Sequence, residues 1–243
     1  MKSLELFRGV EIRGLGLFLR DSESLVFADV HLGYESELNK TGILVPMFQF
    51  SELAGQLKAL LSETKPRQVI INGDLKHEFG TISRQEWREV LDFLDLLSGY
   101  DVKLVRGNHD TILGPIADRK GVEVVDHVSL GTTYVTHGHK IPDNKDFQKA
   151  KTVIIGHEHP AIGLREEGRV EKVKCFLKGR WEEKNLVVLP SFSSIGAGVD
   201  VLQEKLLSPF LQQDISAFEA YGVEAGEVMY FGRLKDLIAE TGM

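Results

Sequence analysis

Five short β-rich runs in this chain end alike. "SLVFAD" (24–29) leads into Val30 and His31, and "QVIING" (68–73) leads into Asp74, with His77 three residues on. "VKLVRG" (102–107) is followed by Asn108, His109 and Asp110. "TTYVTHG" (132–138) ends on His137 and Gly138 with His139 next, and "TVIIGH" (152–157) on His157, Glu158 and His159. Strand ends have no structural need for so many coordinating or titratable side chains. In open α/β sheets, ligand sites form in the crevice beyond the carboxyl ends of the strands. Seven of the eight histidines lie in or beside these motifs, and only His127 lies elsewhere.

What joins the runs sets the fold class. In 47–63, Phe50, Leu53, Leu57, Leu60 and Leu61 fall on one helical face, and in 83–98 Trp87, Val90, Leu91, Leu94 and Leu97 do the same. Ser83 with Glu86 three residues later reads as a capping box. The first half is therefore strand–helix–strand–helix–strand, which implies parallel pairing with helices packed on the sheet. From about residue 122 strands dominate, including "NLVVLP" (185–190), with a turn at "REEG" (165–168) and a helix over 233–240 carrying Leu234, Leu237 and Ile238. The expectation is an α/β protein, a layered α-β-β-α sandwich with mixed sheets. No low-complexity linker or repeat interrupts it, so residues 1–243 read as one domain.

Composition excludes several classes. The chain is 42% hydrophobic, enough for a large core, yet its apolar runs fall far short of the ~20 residues that span a bilayer. Its N-terminus has no secretory pattern. The single cysteine, Cys175, permits no intramolecular disulfide and suits a reducing compartment. A cytoplasmic protein with no membrane partner is expected. The net charge of −7 removes the general basic footprint of a nucleic-acid coat.

Carboxylate and imidazole donors without thiolate suit Mn, Fe or Zn. Two carboxylates, several imidazoles and one amide are too many for one ion and a natural number for two. Paired divalent ions polarise a phosphoryl group and clamp both oxygens of an in-line displacement. In order and spacing, "DVH", "GD", "GNHD", "HGH" and "GHEH" resemble the calcineurin-like metallophosphoesterase superfamily over residues 29–159. Within it, "ADVHLGYE" (28–35) and "GDLKH" (73–77) are similar to SbcD-type nuclease subunits, and over its whole length the chain resembles the short archaeal SbcD-related phosphoesterases. That resemblance implies one ion on Asp29, His31 and His159 and another on Asn108, His137 and His157, with Asp74 and a water or hydroxide bridging them. It implies Mn first, with Fe, Zn or Ni as alternatives. His109 would be the histidine beside the phosphate that protonates the leaving oxygen, and His77 a histidine on the substrate side. Asp110 would steady its loop, His139 would support the ligands, and Tyr34 would stand at the substrate rim.

The activity so implied is a dinuclear-metal phosphodiesterase or nuclease on single-stranded or flexible DNA or RNA. The alternatives are a small-molecule nucleotide or cyclic-nucleotide phosphodiesterase, and a non-catalytic scaffold for a helicase or repair partner. "GDLKHEF" lacks the Gly-Asp-x-x-Asp-Arg-Gly of the protein phosphatases, whose second carboxylate orients the proton-donating histidine. His77 stands at that position, so the orientation of His109 is an open question. Lys172, Lys174, Lys178 and Arg180 in one segment, and Lys140, Lys145, Lys149 and Lys151 near the "HGH" loop, are candidate phosphate contacts. The competing expectation is a solvated face interspersed with acids such as Asp143 and Asp146.

Overall fold

The computed structural model of the chain describes residues 3–43, 48–79, 82–110, 113–166 and 169–240. Met47, at the expected start of the first helix, and Glu167 and Gly168 of the expected turn lie outside them.

Chain order begins with an antiparallel meander of β1 (Leu4–Phe7), β2 (Val10–Arg13), β3 (Gly16–Leu19) and β4 (Ser24–Phe27). Then α1 (Tyr34–Lys40) and α2 (Gln49–Thr64) lead to β5 (Gln68–Asn72), α3 (Arg84–Asp95) to β6 (Asp101–Val105), and α4 (Gly114–Lys120) to β7 (Glu123–Val125). β4, β5, β6 and β7 pair in parallel, as their helical connections require.

A second sheet follows. β8 (Val128–Leu130), β9 (Thr133–Val135), α5 (Lys145–Lys149) and β10 (Thr152–Ile155) precede the long hairpin of β11 (Pro160–Glu166) and β12 (Arg169–Trp181). β13 (Lys184–Val188), β14 (Val199–Asp200), β15 (Glu219–Glu224), β16 (Glu227–Arg233) and α6 (Leu234–Glu240) complete the chain. β9, β10 and β13 run parallel, while the outer strands pair mostly antiparallel. The parallel strands therefore form the centre of a mixed sheet.

The two-residue period of each strand divides the core into layers. Leu25, Phe27, Val69 and Ile71 pack outward against Leu53, Leu57, Val90 and Phe93 of α2 and α3. Their neighbours Val26, Ala28 and Ile70 face the second sheet, where Ile154, Val187 and Leu189 meet them. On the far side, Val153, Ile155, Leu186 and Val188 pack with Phe147 of α5 and Leu234 of α6. The α-β-β-α layering is thus what these alternations require. The carboxyl ends of the two parallel sets are joined by a parallel bridge between Ala28, after β4, and Ser191, after β13.

One local reading differs from expectation. Ser83 caps α3 by accepting from the Glu86 N–H, but the Glu86 carboxylate does not complete the box. It turns instead to the N–H groups of His77 and Glu78. The basic segment 172–180 is not a free phosphate-binding row. Lys172 pairs with Glu204, Lys178 with Glu219, and Lys174 donates to the carbonyls of Ser191 and Ser193.

Candidate metal centre

Each expected ligand follows the end of a parallel strand: Asp29 and His31 follow β4, Asp74 β5, Asn108 β6, His137 β9, and His157 and His159 β10. The loops bring them into two clusters. Asp29, His31 and His159 form one, and Asp74, His137 and His157 the other; within each, the potential ligand atoms all lie within 4.8 Å of one another. Asn108 adjoins the second, its Oδ1 3.0 Å from His137 Nε2. Asp74 Oδ2 lies 3.4 Å from His137 Nε2 and 4.0 Å from His31 Nε2, one histidine of each cluster.

The backbone is bent to achieve this. Asp29, His31, Asp74, His157 and His159 all have positive φ, between 41° and 68°, in the left-handed region that non-glycine residues avoid. Such strain concentrates where surrounding structure over-determines a functional geometry. The surroundings here are close. A Cβ on Gly107 would stand 2.0 Å from Asp74 Oδ1, and one on Gly156 2.6 Å from Asp29 Oδ2.

The donor set fits cations. Asp29 and Asp74 are buried, and Asp29 Oδ1 has no hydrogen-bond partner. His31 Nε2 and His159 Nε2 stand 3.2 Å apart, where two lone pairs need a shared proton or an ion between them. Burial, the largest influence on both carboxyls, would raise them. It is outweighed by His159 and His137 at Asp29, and by His137 and His31 at Asp74, so both sit below the usual carboxylate range. Burial pushes His31 down to about 3 and His157 down to about 4, keeping their imidazoles neutral as metal ligation requires. Burial also works against charge on His137, but the adjoining Asp74 and Asp29 raise it to about 9. Two buried carboxylates thus draw in positive charge, which a pair of divalent ions at these clusters would supply.

Around this centre, Asp110 ties two ligand loops together by accepting from Leu75 N–H at 3.1 Å and Gly107 N–H at 2.9 Å. His139 is half-buried, with its ring 5.2 Å from that of His137 and its Nδ1 unpartnered. Tyr34 stacks on His77 at 4.0 Å between centroids, and His77 Nε2 lies 2.9 Å from Glu37. His109 donates its Nδ1 proton to the main-chain carbonyl of His77 at 2.7 Å. The open question of its orientation is answered by a backbone group rather than a carboxylate side chain. His31, Tyr34, His77, His109 and His159 line a cleft of about 260 Å³ together with Ser191, Ile195, Gly196 and Gly198. A larger cavity of about 480 Å³, lined by Leu15, Leu60, Lys174 and Phe192, includes none of the histidines; it is the smaller cleft that adjoins them.

Several supports were not evident from residue type. Ser191 Oγ donates to the carbonyl of Asp29 at 2.7 Å, and Gln49 Nε2 donates both to the carbonyl of His31 and to Ser193 Oγ, each at 3.0 Å. Glu158, between two ligands, accepts from the N–H groups of Leu207 and Ser208. "GHEH" displays Glu158, but a glutamate beside histidines gives no sign of facing backbone. Neutral Ser191, Ser193 and Gln49 carry no signal at all.

Residues 24–185 match the calcineurin-like phosphoesterase family. The chain belongs to that family. No curated protein sequence matches it. Among solved structures it is similar to the nuclease MPE of Pseudomonas putida, with 24% identity, a TM-score of 0.69, and 95% of this chain and 99% of that one covered. It is also similar to the phosphoesterase YfcE of E. coli, at 14% identity and TM-score 0.40 over 88% and 93% of the two chains. A zinc complex of Vps29 from Entamoeba histolytica matches at 14% identity and TM-score 0.37 over 85% and 96%. Among the described residues no helix is long and apolar enough to cross a membrane.

Proposed function

We propose that this family member is a phosphodiesterase that cuts single-stranded or flexible nucleic acid with two divalent ions. Asp29, His31 and His159 would hold one ion and Asn108, His137 and His157 the other, with Asp74 between. The oxygen and nitrogen donors, with no thiolate, favour Mn, with Fe, Zn or Ni as alternatives. The ions would polarise the phosphoryl group and activate water for in-line attack.

The protein's own groups do the rest. His109, fixed through Nδ1, leaves Nε2 as the nitrogen that exchanges a proton with the leaving oxygen. His77 and Tyr34, stacked at the cleft, stand where the ester's flanking groups would lie. The observation that carries the reading is this adjacency of a proton-exchanging histidine to two ligand clusters. The resemblance of "ADVHLGYE" and "GDLKH" to SbcD-type nucleases, and a shared fold with a Pseudomonas putida protein that is a nuclease, favour nucleic acid as substrate. A helicase or repair partner finds no support in these observations. The small cleft and the pairing of Lys172, Lys174 and Lys178 within the protein favour, as a second reading, a free nucleotide or cyclic nucleotide.

The test is Mn-loaded protein assayed on labelled single-stranded DNA, cyclic nucleotides and a bis-aryl phosphodiester, beside His109→Ala and Asp74→Asn. Cleavage of DNA, lost in both variants, supports the reading. Turnover of cyclic nucleotides without DNA cleavage replaces it with the second. Unchanged activity in Asp74→Asn rejects the assignment of the centre.

A further inference from the structure

Two ladders of rings lead outward from His31. One runs to His77, at 5.2 Å between centroids, and on to Tyr34 at 4.0 Å. The other runs to His109 at 5.4 Å and on to Phe79, which meets His109 edge-on at 5.6 Å and 88°. Phe79 is 66% exposed. Its outward placement is not isolated. Among the described residues, nine large apolar side chains are exposed, and four of them belong to segments that support the centre. Phe48 precedes Gln49, which binds the His31 carbonyl; Phe79 and Ile141 each lie two residues past a site histidine; and the Leu207 N–H is held by Glu158. Of these four, Phe79 meets a ring of the centre directly, at His109.

The same cleft is lined by residues of another kind. Ile195, Gly196 and Gly198 line it, and a Cβ on Gly196 would meet nothing within 4 Å. Aromatic rings and open backbone thus share one cleft. His109, which would exchange a proton with the leaving oxygen, touches Phe79, so the group attached to that oxygen would lie beside Phe79. We infer that Phe79, set against His109, forms a stacking subsite for the nucleobase next to the scissile phosphate. This inference rests on the nucleic-acid reading above and gives it a basis for choosing substrate. A π-face serves every base, so the subsite selects for unstacked, flexible strands rather than for sequence. A duplex, whose bases are already stacked, would not satisfy it. Because stacking needs little positive charge, the subsite also suits a chain of net charge −7.

The experiment compares Mn-loaded wild type, Phe79→Ala and Phe79→Tyr on a labelled thymidine oligonucleotide and on the same strand carrying one abasic residue. Cleavage is mapped at the phosphates flanking that residue. Wild type is expected to cut there about tenfold less efficiently than at the matching phosphates of the intact strand, the size of one stacked base. Phe79→Ala should erase that difference, chiefly through KM, and Phe79→Tyr should restore it. Equal cutting of both strands by wild type, or a preference that survives in Phe79→Ala, overturns the subsite while leaving the nuclease reading intact. Hydrolysis of a bis-aryl diester by wild type with no cleavage of either oligonucleotide overturns the nuclease reading, and the subsite with it.

Discussion

His109 Nδ1 and the main-chain oxygen of His77 are hydrogen-bonded at 2.7 Å, and that carbonyl is itself held from behind by a buried acid. Glu86, on α3, accepts from the N–H groups of His77 and Glu78 through one oxygen, both at 2.9 Å. Its burial raises its pKa, and its other oxygen has no hydrogen-bond partner. Glu86 is therefore a positioning residue for His109, acting through the His77 peptide. Glu86→Ala should lower kcat about 10–100-fold, the range found for groups that orient an active-site side chain, with little change in KM. Glu86→Gln keeps a carbonyl acceptor and should retain most of kcat. Steady-state kinetics of both variants, with metal content and Tm measured alongside, checks this. A purely structural role would lower Tm in Glu86→Ala without separating kcat from KM.

Gly107 separates the end of β6 from Asn108, and Asp74 occupies the space its side chain would need. The Cβ of Gly107→Ala would stand 2.0 Å from Asp74 Oδ1 and 2.3 Å from the Asp74 nitrogen. Backbone on one side and a ligand on the other leave no flexible group to yield. The substitution should cost about 1–3 kcal/mol as overpacking, a Tm decrease of roughly 3–10 °C. It should also move Asp74 and so lower bound metal below that of wild type, measured by elemental analysis after dialysis. Wild-type metal content in a folded Gly107→Ala protein would reject the account.

Much of this arrangement was legible in the chain, for identifiable reasons. The parallel strands β4, β5, β6 and β10 are short apolar runs bounded by glycine or aspartate, and titratable side chains announce their ends. The helices between them carry one-sided apolar faces. The meander β1–β3 carries no such signal, because in "LELFRGVEIRGLGLFLR" each strand has only four residues and glycines break the alternation. The loop 189–198 was equally silent. Ser191 and Ser193 act through a hydroxyl and main-chain oxygens, and their role depends on a bridge from Ala28 that brings distant segments together. Phe79 lay in plain view within "GDLKHEF", but exposure is a property of the fold.

Ions held at the two clusters would make stability depend on divalent cations. Buried Asp29 and Asp74 lie on either side of His137, at 3.5 and 3.4 Å, and Asp29 Oδ1 accepts no hydrogen bond. An ion bound only by the folded chain stabilises it by RT ln(1 + [L]/Kd), about 2.7 kcal/mol at a hundredfold excess over Kd. Treatment with EDTA should therefore abolish hydrolysis and lower Tm by roughly 5–10 °C, with Mn restoring both. Elemental analysis should approach two ions per chain, and Asp74→Asn should bind fewer. A Tm indifferent to EDTA would mean the clusters are not occupied under the conditions used.

Lys174 gives the stability an alkaline dependence of its own. Its ammonium sits beneath the loop that closes the centre, donating to the carbonyls of Ser191 and Ser193. Burial pushes its pKa down to about 8 from an ordinary value of 10.5, against a weaker opposing pull from Asp29. Between those values the unfolded chain holds the extra proton. Stability therefore rises with pH across the interval, and the full penalty persists below about 8. The shift corresponds to at most about 3 kcal/mol, reduced by whatever the two carbonyl bonds return to the charged form. Lys174→Met removes the titration. The difference in Tm between wild type and Lys174→Met should therefore move in favour of wild type from pH 8 to pH 10, and stay flat from pH 6 to pH 7.5. A difference that is constant throughout would place the folded-state pKa of Lys174 near its ordinary value, with the carbonyl bonds offsetting its burial in full.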